Sequence, residues 1–95
     1  MHAAALSVEL HLPEVRSLKE KRAVIRPIVD GSRHRFGVAA AEVGKQDLWQ
    51  SCELAFAAVA SSAHHVDQVL DSVERFVWSF TEVEVLSCER QWLGS

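Results

Sequence analysis

The chain opens on a strict alternation: Leu6, Val8, Leu10 and Leu12 are separated by Ser7, Glu9 and His11. Period two is the signature of a strand with one face buried. It predicts a strand over residues 3–12, stopped by Pro13, which cannot donate to a ladder. The pattern then changes period. Ser17 and Glu20 form a capping box, and Leu18, Ile25, Ile28, Val29 and Ser32 follow at near-helical spacing, predicting a helix to about Arg35. Pro27 and Gly31 oppose it, at about 3 and 1 kcal/mol in a regular helix, so a kink is expected near Pro27. Phe36–Val43 and Cys52–Ala60 read as two alanine-rich strands joined through Gly44-Lys45-Gln46-Asp47, with Gly44 expected to supply the unusual backbone angles. Ser61 or Ser62 caps a second helix, whose stripe is Val66, Val69, Leu70, Val73, Val77 and Phe80. A last strand spans Glu82 to Trp92. Its apolar residues change parity between Val85 and Leu86, which predicts a bulge or a strand covered on both faces.

The order is therefore βαββαβ, an α+β fold of the ferredoxin-like kind: a four-stranded antiparallel sheet with two helices on one face. Right-handed crossovers place the first and third strands in the middle. Ninety-five residues, 48% of them hydrophobic, make a single domain over 1–95 with a real core and much wet surface. No run approaches 18 apolar residues and no charged start leads into a signal-like segment, so no membrane association is expected. Cys52 and Cys88 are too few for a disulfide framework, and a reducing, cytoplasmic setting is expected.

At this point the residues resemble a known family. Ser17-Leu18-Lys19-Glu20-Lys21-Arg22, Ala41-Glu42-Val43 and Gln46-Asp47-Leu48-Trp49-Gln50 look like the YlxP-like family of small bacterial proteins, across essentially the whole chain. The resemblance implies a ferredoxin-like fold and no established activity. Members are often encoded near translation and ribosome-maturation factors, which points toward RNA or ribosome work. In that family a basic residue usually follows the Trp-Gln pair; here the position is Ser51.

Charge adds a second layer. Arg16, Lys19, Lys21, Arg22, Arg26, Arg33 and Arg35 face only Glu20 and Asp30 between residues 16 and 35, a net +5 in a chain of net −3. Arg16, Lys19, Lys21, Arg22, Arg26 and Arg33 are thus candidate phosphate contacts for RNA or the ribosome, with a small anion as a minor alternative. The plainer alternative is a solvated helix face balanced by acidic residues elsewhere. The fold invites comparison with RNA-recognition motifs, but the central strands carry no pair of outward aromatics for base stacking.

The sheet's open face points to self-association instead. If Leu54, Phe56 and Ala58 face the helices, Ala55, Ala57 and Val59 face outward, as do Ala39, Ala41 and Val43 on the neighbouring strand. Such an apolar face fits a homodimer interface. Trp78, on the charged side of the second helix, is a further interface candidate. Trp49 and Trp92 lie at element ends; covering an edge of the core is the commoner outcome for an isolated Trp, and an interface role is the alternative for each.

Catalytic and metal signals are weak. His64 and His65 are adjacent and diverge by about 100° on a helix. Cys-x-x-Cys, His-x-x-x-His, a glycine-rich phosphate loop and a nucleophile elbow are all missing from the sequence. The expectation is a non-enzymatic protein without cofactor or metal. It binds RNA or the ribosome through its first helix or, alternatively, serves as a homo-oligomeric scaffold. A small-ligand or enzymatic role has the least support.

Overall fold

The alternation of the first strand places it at the centre of the sheet, where one face must be apolar along its whole length. In the computed structural model, which describes residues 1–94, the elements are β1 (His2–His11), α1 (Leu18–Phe36), β2 (Ala39–Gly44), β3 (Ser51–Ala60), α2 (Ala63–Trp78) and β4 (Glu84–Leu93). The antiparallel sheet has the order β2-β3-β1-β4. This is the ferredoxin-like arrangement, with both helices on one face. Leu6, Val8 and Leu10 of β1 and Cys52, Leu54 and Phe56 of β3 are sealed against Ile25 and Ile28 of α1 and Val66, Leu70, Val73 and Val77 of α2 in one core.

The capping box closes α1 as expected. The Ser17 hydroxyl accepts from the Glu20 N–H at 3.1 Å, and the Glu20 carboxylate accepts from the Arg16 N–H at 3.0 Å. The helix is unbroken through Pro27. Pro27 and Ala23, whose carbonyl loses its N–H partner, are both exposed, so water can take up the lost bond. The helix also outruns its expected end. Phe36 belongs to α1 rather than to β2, because the left-handed residue that stops the helix is Gly37 (φ 66°), whose N–H returns to the Arg33 carbonyl at 3.1 Å.

Two glycines are explained by close approach. A Cβ on Gly31 would lie 2.7 Å from Phe76 Cζ, so this residue lets α1 meet α2. Phe76 is itself held edge-on by Phe36 and Phe80 at centroid distances of 5.7 and 5.0 Å, with the Arg35 guanidinium 4.9 Å from its ring centre. A Cβ on Gly44 would lie 2.5 Å from the Glu53 carboxylate. The left-handed turn residue between β2 and β3 is Lys45 (φ 59°), not Gly44. Gly44 is required for room, not for its backbone angles.

The parity switch in the last strand is a bulge. Glu9 pairs with Ser87 but Leu10 pairs with Val85, leaving Leu86 without a partner and 62% exposed. The bulge keeps Val85 and Cys88 on the helix side of the sheet. Arg90 also points to that side and ties β4 to α2 through Asp67 (2.6 Å), Asp71 and Glu74 (3.3 Å). Among the described residues, no helix is long and apolar enough to cross a membrane.

Gly31→Ala should test the helix contact. Helix propensity alone favours alanine by about 1 kcal/mol. The clash with a ring already wedged between Phe36 and Phe80 should reverse the sign, to a net loss of about 1 kcal/mol in denaturant unfolding. A variant as stable as wild type, or more so, would show that Phe76 can move aside.

Candidate functional site

The inward stripe of α1 contains a charge. Lys21 lies four, seven and eleven residues before Ile25, Ile28 and Ser32, all buried, so helical geometry turns it into the protein. It is 1% exposed. Its ammonium has three protons to donate and meets three oxygens: the Lys45 carbonyl at 2.8 Å, the Leu48 carbonyl at 2.7 Å and the Glu42 carboxylate at 2.7 Å. Lys21 is therefore corrected from a phosphate contact to a buried clamp. The periodicity contained the signal, since Lys21 keeps step with the apolar stripe.

The clamp organises the connection between β2 and β3. The Gln46 amide donates to the Glu42 carbonyl at 3.2 Å, and the Leu48 N–H closes a turn on the Lys45 carbonyl at 3.1 Å. The Gln50 amide donates to the Pro13 and Val15 carbonyls at 3.2 and 3.0 Å. The Gln50 carbonyl in turn accepts from the Leu12 N–H at 2.9 Å and lies 3.0 Å from His11 Nδ1. The three segments that carried the family resemblance thus meet in space. Leu48 and Trp49, at the tip of this well-tied loop, are each 52% exposed.

Cys52 lies beneath the same cluster. Burial, and then the neighbouring Glu42 charge, push its thiol up to about 12, so it remains protonated near neutral pH and is no nucleophile there. Cys88 is shifted upward too, by burial and then by Glu74. Both thiols are free. Among the described residues, no cluster of three or more His, Cys, Asp or Glu is placed to hold a metal.

The remaining basic residues divide. Lys19, Arg22, Arg26 and Arg33 lie three, four and seven residues apart and are exposed, which places them within about 60° of one another around the helix. The stripe spans about 21 Å at ~1.5 Å per residue. Arg33 is partly engaged, pairing with Asp30 at 3.4 Å and donating to the Ala40 carbonyl. Among the described residues, Lys19, Arg22 and Arg26 make no ion pair. Arg22, Arg26 and Arg33 line one wall of an open groove of about 330 Å³, opposite Ala41, Glu42 and Gln46. Arg16 is exposed just before the helix, and Arg35 lies apart, over Phe76.

The open sheet face has two halves. Strand pairing sets Ala39, Ala57 and Ala5 in one row, with Val59, Ala3 and Leu93 in the next. Ala41, Ala55 and Ser7 form a third row ending in Glu89. Beyond it Glu9 faces Glu53, and His11 faces Glu84. Lys45 lies 3.5 Å from Glu9 as a partial counter-charge. No Phe, Tyr or Trp stands on this face among the described residues, since Trp92 shares the helix side with its partner Ala4. Val43 sits at an irregularity in the β2–β3 register and is 51% exposed. Trp78 is exposed on α2, in the opposite layer, so it is no part of the alanine surface.

The clamp should be visible in stability. Lys21→Met leaves a largely buried carboxylate and two carbonyls without their donor, and should cost about 3–5 kcal/mol in denaturant unfolding. Lys21→Arg should not restore it, because a planar guanidinium cannot replace a compact three-proton donor. Adding Glu42→Gln to Lys21→Met should recover part of the loss. Additive losses in the double variant would mean the two groups are not coupled.

The chain is 40% identical over 76 residues to "Uncharacterized protein YlxP" of Bacillus subtilis (strain 168), covering 80% of this chain and 83% of that protein. The family model described as "Protein of unknown function (DUF503)" matches residues 3–90. The chain belongs to this family.

Proposed function

We propose that the protein is a non-enzymatic RNA- or ribosome-binding protein whose contact element is α1. The observation that carries this reading is the exposed stripe of Lys19, Arg22, Arg26 and Arg33, three of them without an ion-pair partner among the described residues. Arginine forks match phosphate oxygens in pairs. The groove beside the stripe leaves them approachable. The sheet face is the wrong surface for this ligand, because it carries Glu9, Glu53, Glu84 and Glu89 and no Phe, Tyr or Trp among the described residues. Two free thiols agree with a cytoplasmic setting.

Titration of structured ribosomal RNA at several salt concentrations tests the reading. Three to four phosphate contacts should give a log–log salt slope of about −2 to −4. Replacing Arg22 and Arg26 together by glutamate should weaken binding at least ~10-fold and flatten the slope by about 2. Absent binding, or binding indifferent to salt and to these changes, sinks it.

A second reading, self-association, is favoured by the apolar half of the open face. Val59 and Leu93, 65% and 68% exposed, border its alanine rows. They lead onto the outer edge of β4. The opposite edge is blunted, since Arg33 and Gln46 take the alternate carbonyls of Ala40 and Glu42 on β2, which point the same way. Among the described residues, no side chain does this for β4. A symmetric dimer using Ala39, Ala41, Ala55, Ala57 and Val59 would cover the patch. Sedimentation should show a dimer that Ala57→Asp converts to monomer. A wild-type monomer removes this reading.

A further inference from the structure

A loop that lies outside the core is held here by unusually strong means. An ammonium taken out of water accepts the full desolvation cost, which only complete satisfaction offsets. All three of its partners belong to β2 or to the loop after it. The Gln50 amide then ties the far end of the loop to the segment entering α1. The apolar residues this framework presents to solvent are Leu48 and Trp49, each about half exposed, beside the exposed Asp47. Binding residues concentrate on loops held by a rigid scaffold, and an exposed indole offers a large apolar face with a polar edge.

The position of the loop identifies the ligand. Leu48 is bonded directly to Lys21, so Trp49 is anchored beside the turn of α1 that also carries Lys19 and Arg22. The basic stripe begins at that turn and runs toward Arg33. An exposed indole on the loop that Lys21 fixes to this turn, with a line of cations leaving the same turn, matches a nucleotide chain, with a base on the indole and phosphates along the helix. A protein partner could use Leu48 and Trp49 as an anchor, but nothing in that role calls for the adjoining cations. We propose that Trp49 is a stacking platform for an unpaired RNA base, and that the ligand is RNA with a single-stranded loop or end next to the segment gripped by α1. Bases within an A-form duplex are stacked on one another and unavailable to a side chain, so a blunt duplex lacks this contact. The inference rests on the RNA reading above and narrows it to a substrate class.

The test uses two RNAs of equal length and charge, a hairpin with an unpaired tail and a blunt duplex, with wild type, Trp49→Ala and Trp49→Phe. Wild type should prefer the tailed RNA. Trp49→Ala should lose about tenfold in affinity for it, the worth of one base–aromatic stack, with the salt slope and the duplex affinity unchanged. Trp49→Phe, which keeps a stacking ring, should stay within about twofold of wild type. Because the indole is half exposed, thermal unfolding of both variants should match wild type. If Trp49→Ala binds tailed RNA as tightly as wild type, or if the two RNAs bind wild type equally while salt dependence persists, the platform is overturned and the phosphate-binding helix stands. If the phenylalanine variant loses as much as the alanine variant, stacking is overturned as well. Wild-type protein that binds neither RNA at low salt overturns both readings.

Discussion

Three oxygens around the Lys21 ammonium are the constraint on which the rest of the molecule depends. They come from β2 and from the loop after it, and the charge comes from the second turn of α1. One side chain therefore sets the rotation of the helix about its axis and the path of the loop at once. With Lys21 fixed inward, Lys19, Arg22, Arg26 and Arg33 have no choice but to emerge on the flank beside β2. An apolar residue at this position could pack the same helix, but it would not satisfy the Glu42 carboxylate or either carbonyl. Removing one partner of such a buried pair costs more than the pair's net worth, because it strands the other charge.

The same residue shows where reading the sequence succeeds and where it stops. The alternation of Leu6, Val8 and Leu10, the Ser17–Glu20 box and the parity change at Leu86 are local patterns with local causes, and each is realised. Lys21 was legible as inward by spacing, yet its charge argued for the surface. Its partners lie 21 to 27 residues away, beyond any periodicity. Gly44 and Lys45 exchange roles for a similar reason. A glycine in a turn announces flexibility, whereas the need here is set by the Glu53 side chain on the facing strand. Phe36 reads as strand because its preference is genuine, but Gly37 fixes the helix boundary one residue later.

The candidate surfaces were legible in outline. The count of positive charge between residues 16 and 35 located the helix that carries it, but only three-dimensional placement separates the usable stripe from Lys21 inside and Arg35 over Phe76. Loop residues Leu48 to Gln50 were visible as a resemblance and silent as to purpose. A segment whose importance lies in what it holds still shows no pattern until the holding atoms are seen.

The open sheet face carries acidic residues at one end while α1, in the layer opposite, carries the basic stripe, in a chain of net charge −3. Its charge is unevenly spread, with a positive stripe on one side of a net-negative molecule. A polyanion is repelled by the whole protein at long range and drawn to one side of it only within about a Debye length, roughly 8–10 Å at physiological salt. Encounter is then selected by orientation as well as by distance. Anything held along α1 leaves the sheet face, in the other layer, uncovered.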